Sequence, residues 1–152
     1  MNRKGFTMVE LLAVIVLLSV IFAIALISYN EVFKNRREND YRNIVSMIEE
    51  NTKVLVTTDF NISDKVDSLL VRENEDEVKE CKISYSLLIQ KRLMDEDTKD
   101  PRTGKIISTD SFIKIELNEN EELEYQFVNM DPDDEDYSAN VGISNSLVNC
   151  LN

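Results

Sequence analysis

The chain begins with a long apolar stretch and becomes strongly charged only after about thirty residues. Within residues 6–27, Glu10 is the one ionisable side chain. About 22 residues in a helix rise about 33 Å, enough to cross a hydrocarbon core of about 30 Å. The pattern therefore predicts a transmembrane helix near the N-terminus.

Beyond Ser28 the helix is predicted to continue with a single apolar stripe. No glycine or proline occurs between Gly5 and Pro101, so nothing local interrupts a helix that leaves the membrane. We expect one helix from residue 6 to about residue 59, with its second half packed on a domain. Its stripe repeats close to every 3.6 residues and consists of Tyr29, Phe33, Tyr41, Ile44, Ile48 and Leu55.

The middle of the chain is predicted to hold shorter helices joined by polar segments. Apolar spacing predicts an amphipathic helix over 63–71, and the acidic run 73–77 is expected to be a solvated loop. A further helix is predicted over 84–94, with Ser84 or Ser86 as its cap. Residues 100–104 combine aspartate, proline and glycine, which predicts a turn.

After that turn the period changes from that of a helix to that of a strand. Residues 112–117 and 122–127 alternate polar with apolar side chains, and 118–121 between them predict a hairpin turn. The two strands are expected to form an antiparallel sheet whose apolar face covers the helix stripe, an α+β fold. That face consists of Ile113, Ile115, Leu117, Leu123, Tyr125 and Phe127.

Composition narrows the classes of function. The 152 residues allow one modest core, and a net charge of −12, from 17 basic and 29 acidic residues, disfavours nucleic acid as a partner. The same charge would be repelled by an anionic lipid surface, so we expect membrane contact through the apolar helix. The chain has no histidine, and no carboxylate spacing indicates an acid and base pair. We expect neither an enzyme nor a cofactor, and we name no catalytic residue.

Three interpretations of the apolar segment compete. A secretory signal would use the small-residue triplet at 23–25 as its cleavage site, and a plain signal anchor would need no further feature. Neither explains Glu10, because a carboxylate inside a membrane costs about 3 kcal/mol and such residues usually have a partner or a function.

The third interpretation rests on a motif. The sequence Lys4-Gly5-Phe6-Thr7-Met8-Val9-Glu10-Leu11-Leu12 resembles the cleavage and methylation signal of type IV prepilins and type II secretion pseudopilins. The resemblance implies that a prepilin peptidase cuts between Gly5 and Phe6 and methylates Phe6. It also places Glu10 at the family's glutamate in the fifth mature position, which we expect to act in assembly.

The resemblance implies a pilin-like layout for the whole chain. Residues 1–5 would be the leader, 6–28 the transmembrane helix, 29–60 an amphipathic helical stalk and 61–152 an extracytoplasmic globular head. Arg3 and Lys4 precede the apolar stretch, so the positive-inside tendency places the N-terminus in the cytoplasm.

The function expected on this basis is that of a pilin or pseudopilin, a structural subunit of a pilus-like or secretion-like filament outside the cell. The implied partners are like subunits, the prepilin peptidase, membrane lipid and, indirectly, a platform protein and an assembly ATPase. Two alternatives remain open at this point. One is a tip-located minor pilin that acts as an adhesin, and the other is a non-polymerising membrane-anchored extracellular protein.

Two cysteines, Cys81 and Cys150, lie in the part expected outside the membrane, where thiols pair if geometry permits. Pilins often close their C-terminal region with one disulfide, and a loop of about 70 residues would add about 4 kcal/mol in the chain-entropy model. The other possibility is two isolated, partly buried thiols.

Residues 131–136 concentrate carboxylates after the sheet, and some pseudopilins bind calcium in a C-terminal loop. The segment lacks the glycine and the distal glutamate of an EF-hand. A solvated acidic loop without metal is therefore the expectation, with calcium as its alternative.

Overall fold

A computed structural model of the chain describes residues 7–70, 80–134 and 136–151, apart from the side chains of 26–30. It divides into two compact units, Met1–Asn39 and Asp40–Asn152. The described elements, in chain order, are α1 (Met8–Thr58), α2 (Phe60–Leu70), β1 (Glu80–Ser84), α3 (Tyr85–Gln90), β2 (Phe112–Leu117), β3 (Leu123–Val128), α4 (Tyr137–Ser146) and β4 (Val148–Asn149).

The helix α1 is continuous, as the absence of helix breakers predicts. Within the second unit its buried side chains are Ile48, Thr52, Leu55 and Val56. The Thr52 hydroxyl donates to the carbonyl of Ile48 at 2.8 Å, so this buried polar group is satisfied inside the helix. Of the predicted stripe, Ile48 and Leu55 are buried and Tyr41 and Ile44 are half-buried. Phe33 is 38% exposed, so the prediction was wrong there, and the side chain of Tyr29 lies outside the described residues.

The sheet has the order β3-β2-β1-β4. β2 pairs antiparallel with both β1 and β3, and β4 pairs with β1 in parallel. The register sets Ile113 opposite Phe127 and Ile115 opposite Tyr125, so the side chains predicted to share one face do so. In the hairpin turn, the Asn118 side-chain oxygen accepts from the amides of Asn120 and Glu122, both at 2.9 Å.

One hydrophobic core joins this sheet face to the helices of the second unit. Tyr85 and Phe127 meet edge to face within it, with ring centroids 6.1 Å apart. This confirms the α+β fold. The buried core includes Ile48, Leu55, Val66, Ile83, Tyr85, Leu88, Ile113, Ile115 and Phe127.

The structure corrects several element boundaries. The helix predicted over 84–94 is only α3, because Ser84 ends β1 and caps α3 and the chain then reverses at Arg92, whose φ is 59°. The helix predicted over 63–71 begins earlier, at Phe60, and ends at Leu70. The strand predicted over 122–127 is β3, one residue later. The strand β1, the helix α4 and the parallel strand β4 were not predicted. The loop predicted over 73–77 lies outside the described residues.

Candidate assembly helix

The first half of α1 exposes its apolar side chains on all faces. The stretch Met8–Ala25 has a mean hydropathy of 2.8, and no part of it is buried. Leu11 is 56% exposed and Phe22 is 68% exposed. An apolar surface of this extent is unusual in water, and the length and composition of the stretch suit a membrane. Ser19 is its one internal hydroxyl, and it donates to the carbonyl of Val16 at 2.7 Å.

Glu10 takes part in a capping box at the start of this helix. One Glu10 carboxylate oxygen accepts from the backbone amide of Thr7 at 2.9 Å and from the Thr7 hydroxyl at 3.0 Å. The Thr7 hydroxyl in turn lies 3.4 Å from the amide of Glu10. The pair satisfies backbone donors that the first turn of a helix otherwise leaves without partners.

The contacts described for Glu10 include no cationic side chain. The contacts to Thr7 are with neutral donors, and no ion pair of Glu10 occurs within the described ranges. Glu10 is exposed at the helix start. A carboxylate in this position can meet a cation that comes from outside the helix, such as an amine at a neighbouring helix start. The predicted cleavage residues Gly5 and Phe6 lie outside the described residues, so cleavage between them and methylation of Phe6 stay predictions.

The structure places Cys81 and Cys150 in a disulfide. Both cysteines are buried, and their Cα atoms are 5.1 Å apart. The bond joins β1 to the residue that follows β4, and the amide of Cys150 also donates to the carbonyl of Lys82 at 3.0 Å. The C-terminal segment is thus attached to the middle of the sheet.

The acidic loop at 131–136 meets basic side chains of the turn at 100–105. Lys105 pairs with Asp133, and its nitrogen lies 4.0 Å from an Asp131 oxygen. Arg102 bonds Asp100 at 2.8 Å and reaches Asp134 at 3.5 Å. The loop is therefore more than a solvated run of charge, since protein cations occupy several of its carboxylates.

The guanidinium of Arg102 completes this cluster by stacking 3.3 Å from the ring centroid of Tyr41 on α1. Burial alone lowers the pKa of Arg102, but Asp100, Tyr41 and Asp134 together raise it above its ordinary range. The hydrogen bond to Asp133 raises the pKa of Lys105. Within the described ranges, no three carboxylate or cysteine side chains are arranged to hold a metal ion.

The capping box could be predicted from the sequence, whereas the contact of Arg102 with Tyr41 could not. The capping box has a local signal, a threonine three residues before a glutamate, and inspection for caps would have found Thr7. The contact of Arg102 with Tyr41 joins residues that are far apart in the chain, and nothing local indicates it.

The comparisons with known proteins concern the N-terminal segment. Neither a curated protein nor a solved structure matches the chain at a significant level. One family model does match, that of the prokaryotic N-terminal methylation motif, over residues 1–26. These residues include Thr7, Glu10 and the whole exposed apolar stretch Met8–Ala25, so the chain carries the N-terminal signal of type IV prepilins and pseudopilins.

Proposed function

We propose that the chain is a structural subunit, a pilin or pseudopilin, of a type IV pilus-like or type II secretion-like filament. A prepilin peptidase removes residues 1–5 and methylates Phe6. The apolar helices of many subunits then leave the membrane and bundle together, with the acidic heads at the surface. The partners are like subunits, the peptidase and, less directly, the platform protein and ATPase of the assembly machinery.

The main support for this proposal comes from the N-terminal helix. The methylation signal coincides with an apolar helix whose surface is not buried by any described part of the chain and that holds a carboxylate in its first turn. Lipid can cover that surface in a single subunit, and like helices can cover it in a bundle. In a plain anchor the carboxylate would serve only to cap the helix, whereas an assembling subunit can also pair its charge with the amine of a neighbour.

The proposed orientation places the N-terminus in the cytoplasm and residues from about 30 onward outside. The disulfide between Cys81 and Cys150 supports it, because disulfides persist in oxidising compartments and are rare in the cytoplasm. The head would accordingly fold after export.

Processing tests the proposal directly. Mass spectrometry of the mature N-terminus is expected to find a chain that begins at a methylated Phe6. In Gly5→Val the uncut precursor should accumulate, because a branched side chain obstructs the approach of the protease to the backbone.

A matched change in the leader, Asn2→Val, alters bulk at a position away from the cut and should be processed normally. A mature chain that begins at Leu26 would establish secretory cleavage instead. Normal cleavage of Gly5→Val would count against a prepilin peptidase.

A further inference from the structure

The sheet of the second unit ends in a strand whose outer edge is largely open. Among residues 7–70, 80–134 and 136–151, β3 pairs with β2 on one side only, because it is the terminal strand in the order β3-β2-β1-β4. Such an edge presents backbone donors and acceptors that an added strand can pair with.

The hairpin register shows which groups face outward. Asn118 donates its amide to the carbonyl of Glu122, and in an antiparallel ladder bonded pairs alternate. Glu124 and Gln126 therefore bond β2, whereas the amides and carbonyls of Leu123 and Tyr125 point away from it. Within the described residues, neither of these two has a backbone partner on the outer side.

One end of the edge is closed. The outward amide of Phe127 donates to the carboxylate of Glu49 on α1 at 3.0 Å. This bond also confirms that the backbone amides of the odd-numbered residues of β3 point away from β2. The open part of the edge runs over residues 122–126.

The open part carries negative charge. Glu122 and Glu124 are exposed, and Glu119 and Glu121 are exposed in the adjoining turn. No ion pair engages these four carboxylates within the described ranges, and Glu124 accepts only from the neutral side chain of Asn118, at 3.3 Å. An added strand would thus meet carboxylates alongside the backbone.

These charges oppose pairing with a second copy of β3. Antiparallel self-pairing over 122–126 would bond Leu123 to Tyr125 and set Glu124 directly opposite Glu124 of the other copy. Like charges at directly opposed positions destabilise a strand pair. The edge therefore discriminates against its own copy and favours a strand of opposite charge.

We infer that the open edge of β3 is a docking site for an extended cationic segment of another protein, bound by strand addition. The two sheet faces specify its pattern. Basic side chains on one face would lie near Glu122 and Glu124, and apolar side chains on the other would cover the half-exposed Leu123 and Tyr125. The inference does not depend on the proposed filament role.

The test uses the full chain in zwitterionic detergent micelles and a labelled peptide of alternating lysine and valine, about seven residues long, the length of a typical strand. Fluorescence anisotropy measures binding, and amide hydrogen exchange locates it. We expect binding at low salt, with slowed exchange at Leu123 and Tyr125. A peptide of the same charge that is N-methylated at every residue should not bind, because neither of its strand edges has a backbone donor.

Paired variants separate the edge from general attraction to an acidic protein. Glu122→Gln with Glu124→Gln should weaken binding about fivefold, since it removes two exposed ion pairs, each of which contributes little in water. Glu96→Gln with Asp97→Asn removes the same charge from another exposed turn and should change binding little.

Three results would overturn the inference. Equal binding of the N-methylated peptide would mean that charge alone attracts it. Slowed exchange elsewhere but not at Leu123 and Tyr125 would place the site on another surface. Protection of these two amides in the protein alone, rising with its concentration, would make a second copy the occupant.

Discussion

Among the described residues Glu10 bonds to Thr7, and the proposed filament would offer its carboxylate a cationic partner as well. Its carboxylate is held by the Thr7 amide and hydroxyl, which are neutral donors. Pairing with the amine of Phe6 in a neighbouring subunit would neutralise the charge as well. Because an ion pair in a low dielectric offsets part of the desolvation of each ion, assembly would favour this exchange of partners.

The substitution Glu10→Ala is expected to leave synthesis, membrane insertion and cleavage intact, since an uncharged helix inserts more easily. Incorporation into filaments should fall about tenfold or more, because breaking a buried ion pair costs about 3 kcal/mol. Glu10→Asp should be intermediate, since the charge stays while the reach shortens. The measurement is the fraction of processed protein in sheared filaments compared with the fraction in the membrane.

The capping box supplies the control that separates charge from helix capping. Glu10→Gln retains an oxygen that can accept from Thr7 but removes the charge, and Thr7→Val removes the hydroxyl but keeps the charge. If charge drives assembly, Glu10→Gln behaves like Glu10→Ala and Thr7→Val retains most incorporation. Wild-type incorporation of Glu10→Ala would exclude a role of this residue in assembly.

At the scale of elements, the sequence predicted the helices and strands in which apolar side chains repeat regularly over many residues. The alternation of β2 and β3 and the unbroken α1 follow from repeated burial of one face, and the structure confirms them. β1 was missed because Cys81 and Ile83 are its only two buried positions, too few to distinguish a strand from the neighbouring helix. α4 was missed because it buries no residue and so carries no apolar stripe.

The candidate sites also differ in whether a local sequence pattern predicts them. The signal around Glu10 is local in sequence and could be predicted from it. The cluster of Arg102, Tyr41 and Asp134 depends on a fold that brings a turn, a helix and a loop together, and so could not. The open edge of β3 depends on strand order, which the sequence left undetermined.

The contact between Arg102, in the turn at 100–105, and Tyr41 on α1 leads to a prediction about the stability of the head. Arg102→Met should lower the free energy of unfolding of the head by about 2 kcal/mol, because it leaves the Asp100 carboxylate, 3% exposed, without its cation. Lys53→Met, which removes an exposed cation from α1, should change it by less than about 0.5 kcal/mol. Urea unfolding of the full chain in detergent, followed by near-ultraviolet circular dichroism, measures both. Similar losses in the two variants would contradict a special role of Arg102.

The same cluster predicts a weak response to calcium. Arg102 and Lys105 already engage Asp131, Asp133 and Asp134, so a metal ion would have to displace protein cations from the loop. Millimolar calcium should therefore leave the melting temperature nearly unchanged. A rise of several degrees that disappears in Asp133→Asn with Asp134→Asn would establish a calcium loop instead.

For the molecule as a whole, acidic side chains are unevenly distributed along the chain. The apolar stretch holds one carboxylate, and the second unit carries the whole excess of acidic over basic residues, because the first unit has 5 basic and 3 acidic side chains against 12 and 26 in the second. Acidic surfaces keep a protein soluble and separate from its copies. Association of subunits would therefore rely on the apolar helix, and the head must be stable without contributing much to that association.

The stability of the head is predicted to depend on the one disulfide. α4 buries no residue and β4 has only two residues, so Cys150 is the main buried attachment of the C-terminal segment. The bond closes a loop with a sequence separation of 69 residues, worth about 4 kcal/mol in the chain-entropy model. In denaturant, where burial no longer protects them, both cysteines should resist alkylation until a reductant is added.

Cys150→Ala should therefore lower the free energy of unfolding by about 4 kcal/mol. It should also speed amide exchange in α4 and β4 more than in the β2–β3 hairpin, because the hairpin keeps its own ladder and core contacts. Cys81→Ala with Cys150→Ala is the matched control, since it removes the bond without leaving a reactive thiol. It should match the single variant if loss of the crosslink is the cause. Exchange that rises equally in the hairpin and in α4 would show that the disulfide supports the whole head rather than anchoring its C-terminal segment.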